Sequence, residues 1–303
     1  MNSQIIKISA LLKNHVALTA VFTASAAFWL VSSIGAPLRF TLDPLSVTPW
    51  HLLALGLEAA VSLAIVALRL DRKLLFFPVF FSLYPLSYLL MERIDILILG
   101  TDYGVLRHKI TSDTLFFILE IVCFLPLYAM VPRKNPFVVH GVPADRGAAL
   151  TGPVRLRRRI VLVLFAMHLP VLGYLTLRQA NLFGIPADLQ WSLLGTQFLF
   201  AVFLGLKEEL GFRWLLMQGL ERSTGSAIAA LVLQAVPWAL YHLFFGEGTG
   251  TGLPATAITF IGALWFGWLV YEFKTVWLAM VSHTAVEFLG FYLMYGRIIA
   301  ERL

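Results

Sequence analysis

The feature that most constrains this chain is a series of long, continuous apolar runs that extends from one end to the other. Hydrophobic residues make up 59% of the sequence and charged residues 13%, whereas soluble domains are about half apolar and about a quarter charged. Since about 20 apolar residues span a bilayer as a helix, the chain has room for about eight or nine spans. The runs lack the alternation of membrane β-strands, so we expect an all-α polytopic membrane protein.

The apolar runs also indicate how the chain is divided. The longest polar segment, 133–159, separates an N-terminal bundle of about four spans (1–132) from a C-terminal bundle (160–303). The run at 74–94 is interrupted by Pro78 and Pro85, which predicts a kink or partial re-entry. The predicted spans are 16–36, 51–70, 74–94, 114–132, 160–178, 191–216, 226–245, 255–273 and 276–295.

Basic residues concentrate in the polar segments between the runs, chiefly at 69–73 and 133–159, with Lys7 and Lys13 before the first run. All of these lie on one side if the N-terminus is cytoplasmic, as the positive-inside rule favours. We therefore interpret the net charge of +6 as a topology signal rather than a sign of a nucleic-acid partner. We expect a multi-pass protein of the plasma or inner membrane, with a cytoplasmic N-terminus and the lipid bilayer as its surroundings.

The densest set of ionisable residues inside an apolar run is Glu208, Glu209 and Arg213. Such residues are costly in a membrane, which makes each a functional candidate. Neighbouring side chains on a helix point about 100° apart, and Glu209 and Arg213 have the i,i+4 spacing of a same-face ion pair. We predict that Glu209 and Arg213 give structural support, and that Glu208 is the reactive carboxylate.

Glu208 needs partners from other helices, and His242 and His283 are the candidates. A tight turn at 221–226 predicts an antiparallel hairpin that places His242 at the depth of Glu208. His283 reaches this depth if the hairpin projects beyond the membrane, and Glu287 lies on the same helical face as His283. Glu208 would act as general base on a water held by His242, and His283 would donate a hydrogen bond to the developing oxyanion.

Other interpretations stay open at this point. The two glutamates and the arginine also fit a structural ion-pair network, and a membrane histidine often only bonds a neighbouring helix. Two histidines and a carboxylate can bind zinc, but the HExxH spacing is absent. The single Cys123 excludes an internal disulfide and a cysteine-rich metal site. A zinc-dependent membrane hydrolase and a non-catalytic membrane binding or immunity protein are therefore the alternatives, and we predict no metal or other cofactor.

At these residues the chain resembles the CAAX-protease and bacteriocin-processing (ABI, Ras-converting) family of intramembrane glutamic endopeptidases. That family carries EExxxR, FxxxH and HxxxN on successive helices. Residues 208–213 (EELGFR) match the first motif in full. Residues 238–242 (WALYH) match the second at its histidine, and residues 283–287 (HTAVE) match the third at its histidine. The resemblance covers about 190–295.

The resemblance implies a conical catalytic bundle in the C-terminal half. It implies Glu208 and His242 as the water-activating pair, His283 and position 287 as the oxyanion site, and Arg213 as a structural partner of the second glutamate. The substrate would be a membrane-associated protein or peptide, recognised through a C-terminal tail or a sorting signal. Trp238 and Glu120 are our candidates for the substrate cavity.

The glutamate at position 287 departs from the family motif, which has asparagine there. An asparagine amide donates hydrogen bonds, whereas an ionised glutamate only accepts them, so a carboxylate facing an oxyanion would oppose catalysis. Glu287 must therefore be a neutral acid, or must orient and charge His283, or the protein is a non-catalytic relative.

Overall fold

The computed structural model describes residues 15–32, 48–99, 115, 117–127, 152–182, 191–244 and 253–300. This part of the chain consists of helices and turns and contains no β-strand, which confirms the predicted all-α class. The helices of the N-terminal half are α1 (His15–Ser32), α2 (Thr48–Ala67), a 3-10 turn (Arg72–Leu75), α3 (Phe76–Leu99) and α4 (Phe117–Leu127).

The C-terminal half begins with the long helix α5 and continues through a helix that changes type midway. Its elements are α5 (Gly152–Leu182), α6 (Trp191–Glu208), a π-helical segment (Glu209–Leu216), α7 (Met217–Thr224), α8 (Ala227–Phe244), α9 (Leu253–Phe273) and α10 (Trp277–Ala300).

Within the described residues, four helical segments are long and apolar enough to cross a membrane. Shorter apolar helices add to them, which supports an integral membrane protein, while the total of eight or nine spans stays a prediction. The four segments are His15–Ser32, Pro49–Ala67, Arg72–Leu90 and Thr256–Phe273, and the shorter apolar helices are Phe117–Leu127 and Ala227–His242.

Two predicted boundaries differ from the structure. Helix α3 continues through Pro85 to Leu99, and Pro78 lies in its first turn, where a missing N–H costs little. Helix α5 begins at Gly152, so the basic residues at 155–159 occupy its first turns rather than a loop. The proposed divide at 133–159 otherwise falls largely outside the described residues and stays a prediction.

The turn between α7 and α8 is tighter than the predicted 221–226. Gly225 has φ 69° and donates its N–H to the carbonyl of Glu221 at 2.8 Å, which is the left-handed helix ending that glycine favours. The hydroxyl of Ser226 then accepts the N–H of Ala229 at 3.2 Å, as an N-cap serine does. The chain therefore reverses within two residues.

The basic segments around 69–73 and 155–159 lie at one end of the bundle. Arg157 and Arg158, in the first turns of α5, pair with the buried Glu272 near the end of α9 at 2.9 and 3.3 Å. Phe76, just after the α2–α3 turn, packs so closely on Gly219 of α7 that a Cβ there would lie 2.3 Å from its ring. The turns α2–α3, α7–α8 and α9–α10 therefore share this end.

The N-terminal helices pack directly against the segment that carries the acidic pair. Trp29 of α1 stacks on Tyr241 of α8, with ring centroids 5.4 Å apart and planes at 15°. Trp29 and Tyr84 of α3 each lie 5.7 Å from Phe212 in the π-helical segment. These rings belong to one buried cluster, so both halves of the described chain share a core.

Candidate active site

The two glutamates lie where helix α6 changes into a π-helix. Glu208 ends α6 and Glu209 begins the π-helical segment, all of whose eight residues are buried. π-Helical turns are rare and occur frequently at functional sites. The change in helix type therefore marks the same place that the charged residues mark in the sequence.

Glu209 is sealed from solvent between two positively charged or proton-donating groups. Its Oε1 lies 3.4 Å from Nη1 of Arg213 and 2.7 Å from Nδ1 of His283. Glu209 and Arg213 are both 0% exposed. The guanidinium also lies 4.2 Å from the ring of Trp238 and 5.3 Å from that of Phe266, so aromatic faces complete its surroundings.

Glu208 faces a different set of groups and keeps 8% exposure. Its Oε2 accepts a hydrogen bond from the indole N–H of Trp238 and lies 3.8 Å from Nε2 of His283. Its Oε1 lies 3.9 Å from Nζ of Lys207. Donors or cations therefore approach both oxygens of this side chain.

His283 links the two carboxylates from α10. Its ring stacks on Phe266, with centroids 4.8 Å apart and planes at 16°. While Nδ1 bonds Glu209, Nε2 makes no hydrogen bond within the described residues and lies 3.4 Å from Oε1 of Glu287 and 3.8 Å from Glu208. A lone pair there would face two carboxylates, so the arrangement suits an imidazolium with a proton on each nitrogen.

His242 lies one side chain further away. Its Nδ1 is 2.9 Å from the carbonyl oxygen of Trp238, and because a carbonyl only accepts, Nδ1 carries the proton and Nε2 the lone pair in the neutral ring. The His242 ring is 4.7 Å from the Trp238 indole. Within the described residues no hydrogen bond or ion pair joins His242 to Glu208, although the indole between them contacts both.

The structure therefore reverses the expected order of approach, because His283 rather than His242 contacts the glutamates directly. Lys274, at the α9–α10 turn, lines the same cavity as Glu221 and Ala227, which flank the α7–α8 turn. The two turns therefore lie beside each other, and the projection of the hairpin beyond the membrane stays a prediction.

Helix α10 is held in place on both sides of His283. The hydroxyl of Ser282 donates to Nε2 of His168 on α5 at 2.8 Å, and Nδ1 of His168 lies 3.1 Å from its own helix carbonyl at Phe165. On the other side, a Cβ on Gly205 of α6 would lie 2.8 Å from the hydroxyl of Thr284. Close approach at glycine brings α6 and α10 together at the site.

Lys207 and Ser87 are site residues that the sequence patterns did not single out. Lys207 Nζ lies 2.9 Å from Oε2 of Glu120, and Ser87 donates to the other Glu120 oxygen at 3.2 Å. Glu120, predicted to line a substrate cavity, is 1% exposed and sits in this ion pair. The sequence did contain a feature that could have identified Lys207 as a candidate, because it is an ionisable residue in an apolar run and directly precedes Glu208.

Within the described residues, no group of three or more His, Cys, Asp or Glu side chains is arranged to hold a metal ion. Nδ1 of His283 already bonds Glu209 at 2.7 Å, so only its Nε2 is left to approach a metal ion.

The comparison with protein families gives one match. Residues 190–289 match the family model described as Type II CAAX prenyl endopeptidase Rce1-like. The match confirms the predicted family resemblance over about a third of the chain, and it includes the three motif segments at 208–213, 238–242 and 283–287. No curated protein and no solved structure matches the chain significantly.

Proposed function

We propose that this chain, whose residues 190–289 carry a domain of the CAAX-protease family, is an intramembrane endopeptidase of the glutamic type. The proposal rests on the difference between the surroundings of the two glutamates. Glu209 is sealed against Arg213 and His283, whereas Glu208 keeps some exposure and meets two N–H groups at one oxygen.

Glu208 is the general base in this proposal. It removes a proton from a water molecule, whose oxygen then forms a bond to the carbonyl carbon of the substrate peptide. The second water proton points to Nε2 of His242, the nitrogen that carries the lone pair because Nδ1 faces a carbonyl. The protonated Glu208 then returns its proton to the amine that leaves as the C–N bond breaks.

The negative charge that develops on the carbonyl oxygen requires donors in fixed positions. His283 Nε2 and Trp238 Nε1 both lie at Oε2 of Glu208, so they converge beside the base. His283 is fixed by Glu209 and Phe266 and makes no other hydrogen bond through Nε2 within the described residues. This nitrogen donates to the oxyanion.

Glu287 acts on His283 rather than on the substrate. Its carboxylate lies 3.4 Å from Nε2 and stabilises a proton there. Its side chain is 19% exposed, so it can move aside when the substrate carbonyl reaches the nitrogen. The same carboxylate is the feature that favours the second candidate, a non-catalytic membrane binding protein, because it occupies the oxyanion position in the resting state.

The substrate in this proposal is a protein or peptide held at the membrane, cleaved near a C-terminal tail or sorting signal. The basic segments gathered at one end of the bundle, with Arg157 and Arg158 anchored on Glu272, support a cytoplasmic assignment for that end. A cytoplasmic N-terminus is consistent with this assignment, and the plasma or inner membrane is the location that we propose.

The test uses the purified full chain in lipid nanodiscs and a quenched fluorescent peptide library. The library includes a C-terminally farnesylated peptide and its unmodified counterpart. Cleavage that survives chelation but disappears in Glu208→Gln supports the proposal, and the farnesylated pair then reports the substrate class. Loss on chelation with recovery on adding zinc supports the zinc hydrolase. Undiminished cleavage by Glu208→Gln would show that Glu208 is not the general base. Peptide binding without cleavage would support the non-catalytic binding protein.

A further inference from the structure

We propose that Lys207 is a positioning residue for Glu208, and that Glu120 in the N-terminal half controls how strongly Lys207 acts on it. The role in turnover rests on the proposed function. The effect on the charge state of Glu208 does not, and it is measured separately below.

Lys207 is shared unequally between two carboxylates. Its ammonium lies 2.9 Å from Glu120 and 3.9 Å from Glu208, and its side chain is 9% exposed. Phe117 covers the ammonium from a ring centroid 4.5 Å away. Ser87 holds the second oxygen of Glu120 at 3.2 Å, so the nearer partner is fixed by α3 and α4.

The unequal sharing serves the chemistry of a base. A nearby cation keeps a carboxylate charged in a poorly solvated site, where electrostatic interactions are strong. A direct ion pair would instead hold the lone pairs that must accept the proton from water, and would make Glu208 a weaker base. By drawing the ammonium to 2.9 Å, Glu120 leaves Glu208 stabilised but able to react.

Glu120 and Ser87 lie outside residues 190–289, the segment that matches the family. The charge at the candidate base is therefore tuned by helices α3 and α4, which gives the N-terminal bundle a direct role in the site. Other titratable groups surround Glu208 and Lys207. Arg213, His242, His283, Tyr84 and Tyr88 interact with one of the two directly, whereas Glu209 and Glu287 contact Arg213 or His283.

The test titrates Glu208 directly in the full chain, by infrared spectroscopy of carboxyl groups in nanodiscs. The band that disappears in Glu208→Gln identifies the residue. In Lys207→Met the titration midpoint should rise by about 1 pH unit or more, because a cation within about 4–6 Å has been removed. In Glu120→Gln it should fall by about 1 pH unit, because Lys207 is released toward Glu208. Loss of the Glu120 charge would by itself also lower the midpoint, so the shared cation is tested by whether Glu120→Gln loses its effect in a Lys207→Met background.

Two further variants keep the test independent of folding defects. Lys207→Met leaves the buried Glu120 without its cation, which is unfavourable for folding. The double variant Lys207→Met with Glu120→Gln removes both charges, and its Glu208 titration midpoint should still lie above that of the native chain. Lys73→Met, the same substitution at an exposed lysine on the α2–α3 turn, should leave the midpoint unchanged. Thermal unfolding of each variant identifies any that fail to fold.

Kinetics then test the positioning role. Where the native chain cleaves a library peptide, the acidic limb of its kcat profile should move with the infrared midpoint, and Lys207→Arg should restore at least half of the activity lost in Lys207→Met. Unmoved midpoints, or shifts in the same direction for Lys207→Met and Glu120→Gln, would overturn the proposal. If no peptide is cleaved, the proposed function fails while the infrared shifts still decide this inference.

Discussion

Glu208 and Glu209 are adjacent in the chain but occupy two different regions of the molecule. Glu209 is fully buried, with Arg213 at 3.4 Å and His283 at 2.7 Å. Glu208 keeps 8% exposure, one hydrogen bond from Trp238, and Lys207 at 3.9 Å. Glu209 is therefore shielded from water and held between two helices, whereas Glu208 stays accessible to a water molecule.

The difference arises because successive side chains on a helix point in different directions. Glu209 points into the packing between its own segment and α10, where His283 and Phe266 lie stacked. Glu208 points to the side where α8 contributes Trp238 and where Glu120 of α4 meets Lys207. One step along the chain thus separates the sealed carboxylate from the one that we propose as the base.

Glu208→Gln is expected to have the largest effect on activity. The amide keeps the shape of the side chain and can still accept the Trp238 N–H, but it cannot act as a base. Cleavage should fall by about 10³-fold, with the thermal unfolding midpoint nearly unchanged. The measurement is kcat on a cleaved library peptide, with unfolding followed by intrinsic fluorescence. A variant that unfolds at much lower temperature would assign Glu208 to structure instead.

Arg213→Met tests the opposite region. Removing the guanidinium leaves Glu209 with only the histidine as a counter-charge in a sealed site, and breaking a buried ion pair costs about 3–5 kcal/mol. We expect lower abundance and a lower unfolding midpoint, with specific activity of the folded fraction less affected. Glu209→Gln should behave in the same way. A stable but inactive Arg213→Met would contradict the supporting role.

Gly205→Ala tests the approach of α6 to α10 that brings Glu208 and His283 together. The added Cβ would lie 2.8 Å from the Thr284 hydroxyl and 3.2 Å from its backbone nitrogen, and overpacking of this kind costs about 1–3 kcal/mol. Gly195→Ala is the matched control, because it lies on the same helix with nothing within 4 Å. The unfolding midpoint should fall for Gly205→Ala alone, and equal midpoints would refute the close approach.

Glu287→Asn gives the smallest expected effect and sharpens the role of His283. The amide restores a donor at the family position and removes a carboxylate from the imidazole nitrogen. Glu209 still holds His283 at 2.7 Å in this variant, and the oxyanion position is no longer occupied by a carboxylate. We therefore expect kcat to rise by up to about tenfold, which corresponds to about 1.4 kcal/mol, with little change in unfolding. Peptide kinetics at fixed pH measure it. A fall of about a hundredfold or more would show that the carboxylate itself is needed.

A substantial part of the site could be predicted from residue spacing. The i,i+4 spacing of Glu209 and Arg213 predicted a pair that the structure places at 3.4 Å, because helical geometry alone relates such residues. Residue counts predicted His242 at the depth of Glu208, and His283 there only if the α7–α8 hairpin projects beyond the membrane. Which histidine lies nearer to Glu208 could not be predicted in this way. Residue counts give the depth of a residue along its helix, but not the rotation of the helix about its axis. They also did not predict that the Trp238 indole lies between Glu208 and His242.

Residue patterns alone predicted the helices of the described residues, several of them apolar enough to span a membrane, and the charged cluster at 208–213. Long apolar runs leave a chain few alternatives in a bilayer, and residue spacing controls which neighbours share a helical face. The sharing of Lys207 with Glu120 at 2.9 Å, and the contact of His283 rather than His242 with the glutamates, are seen only in the three-dimensional structure. Those contacts join helices far apart in the chain, and their distances depend on packing that no local pattern encodes.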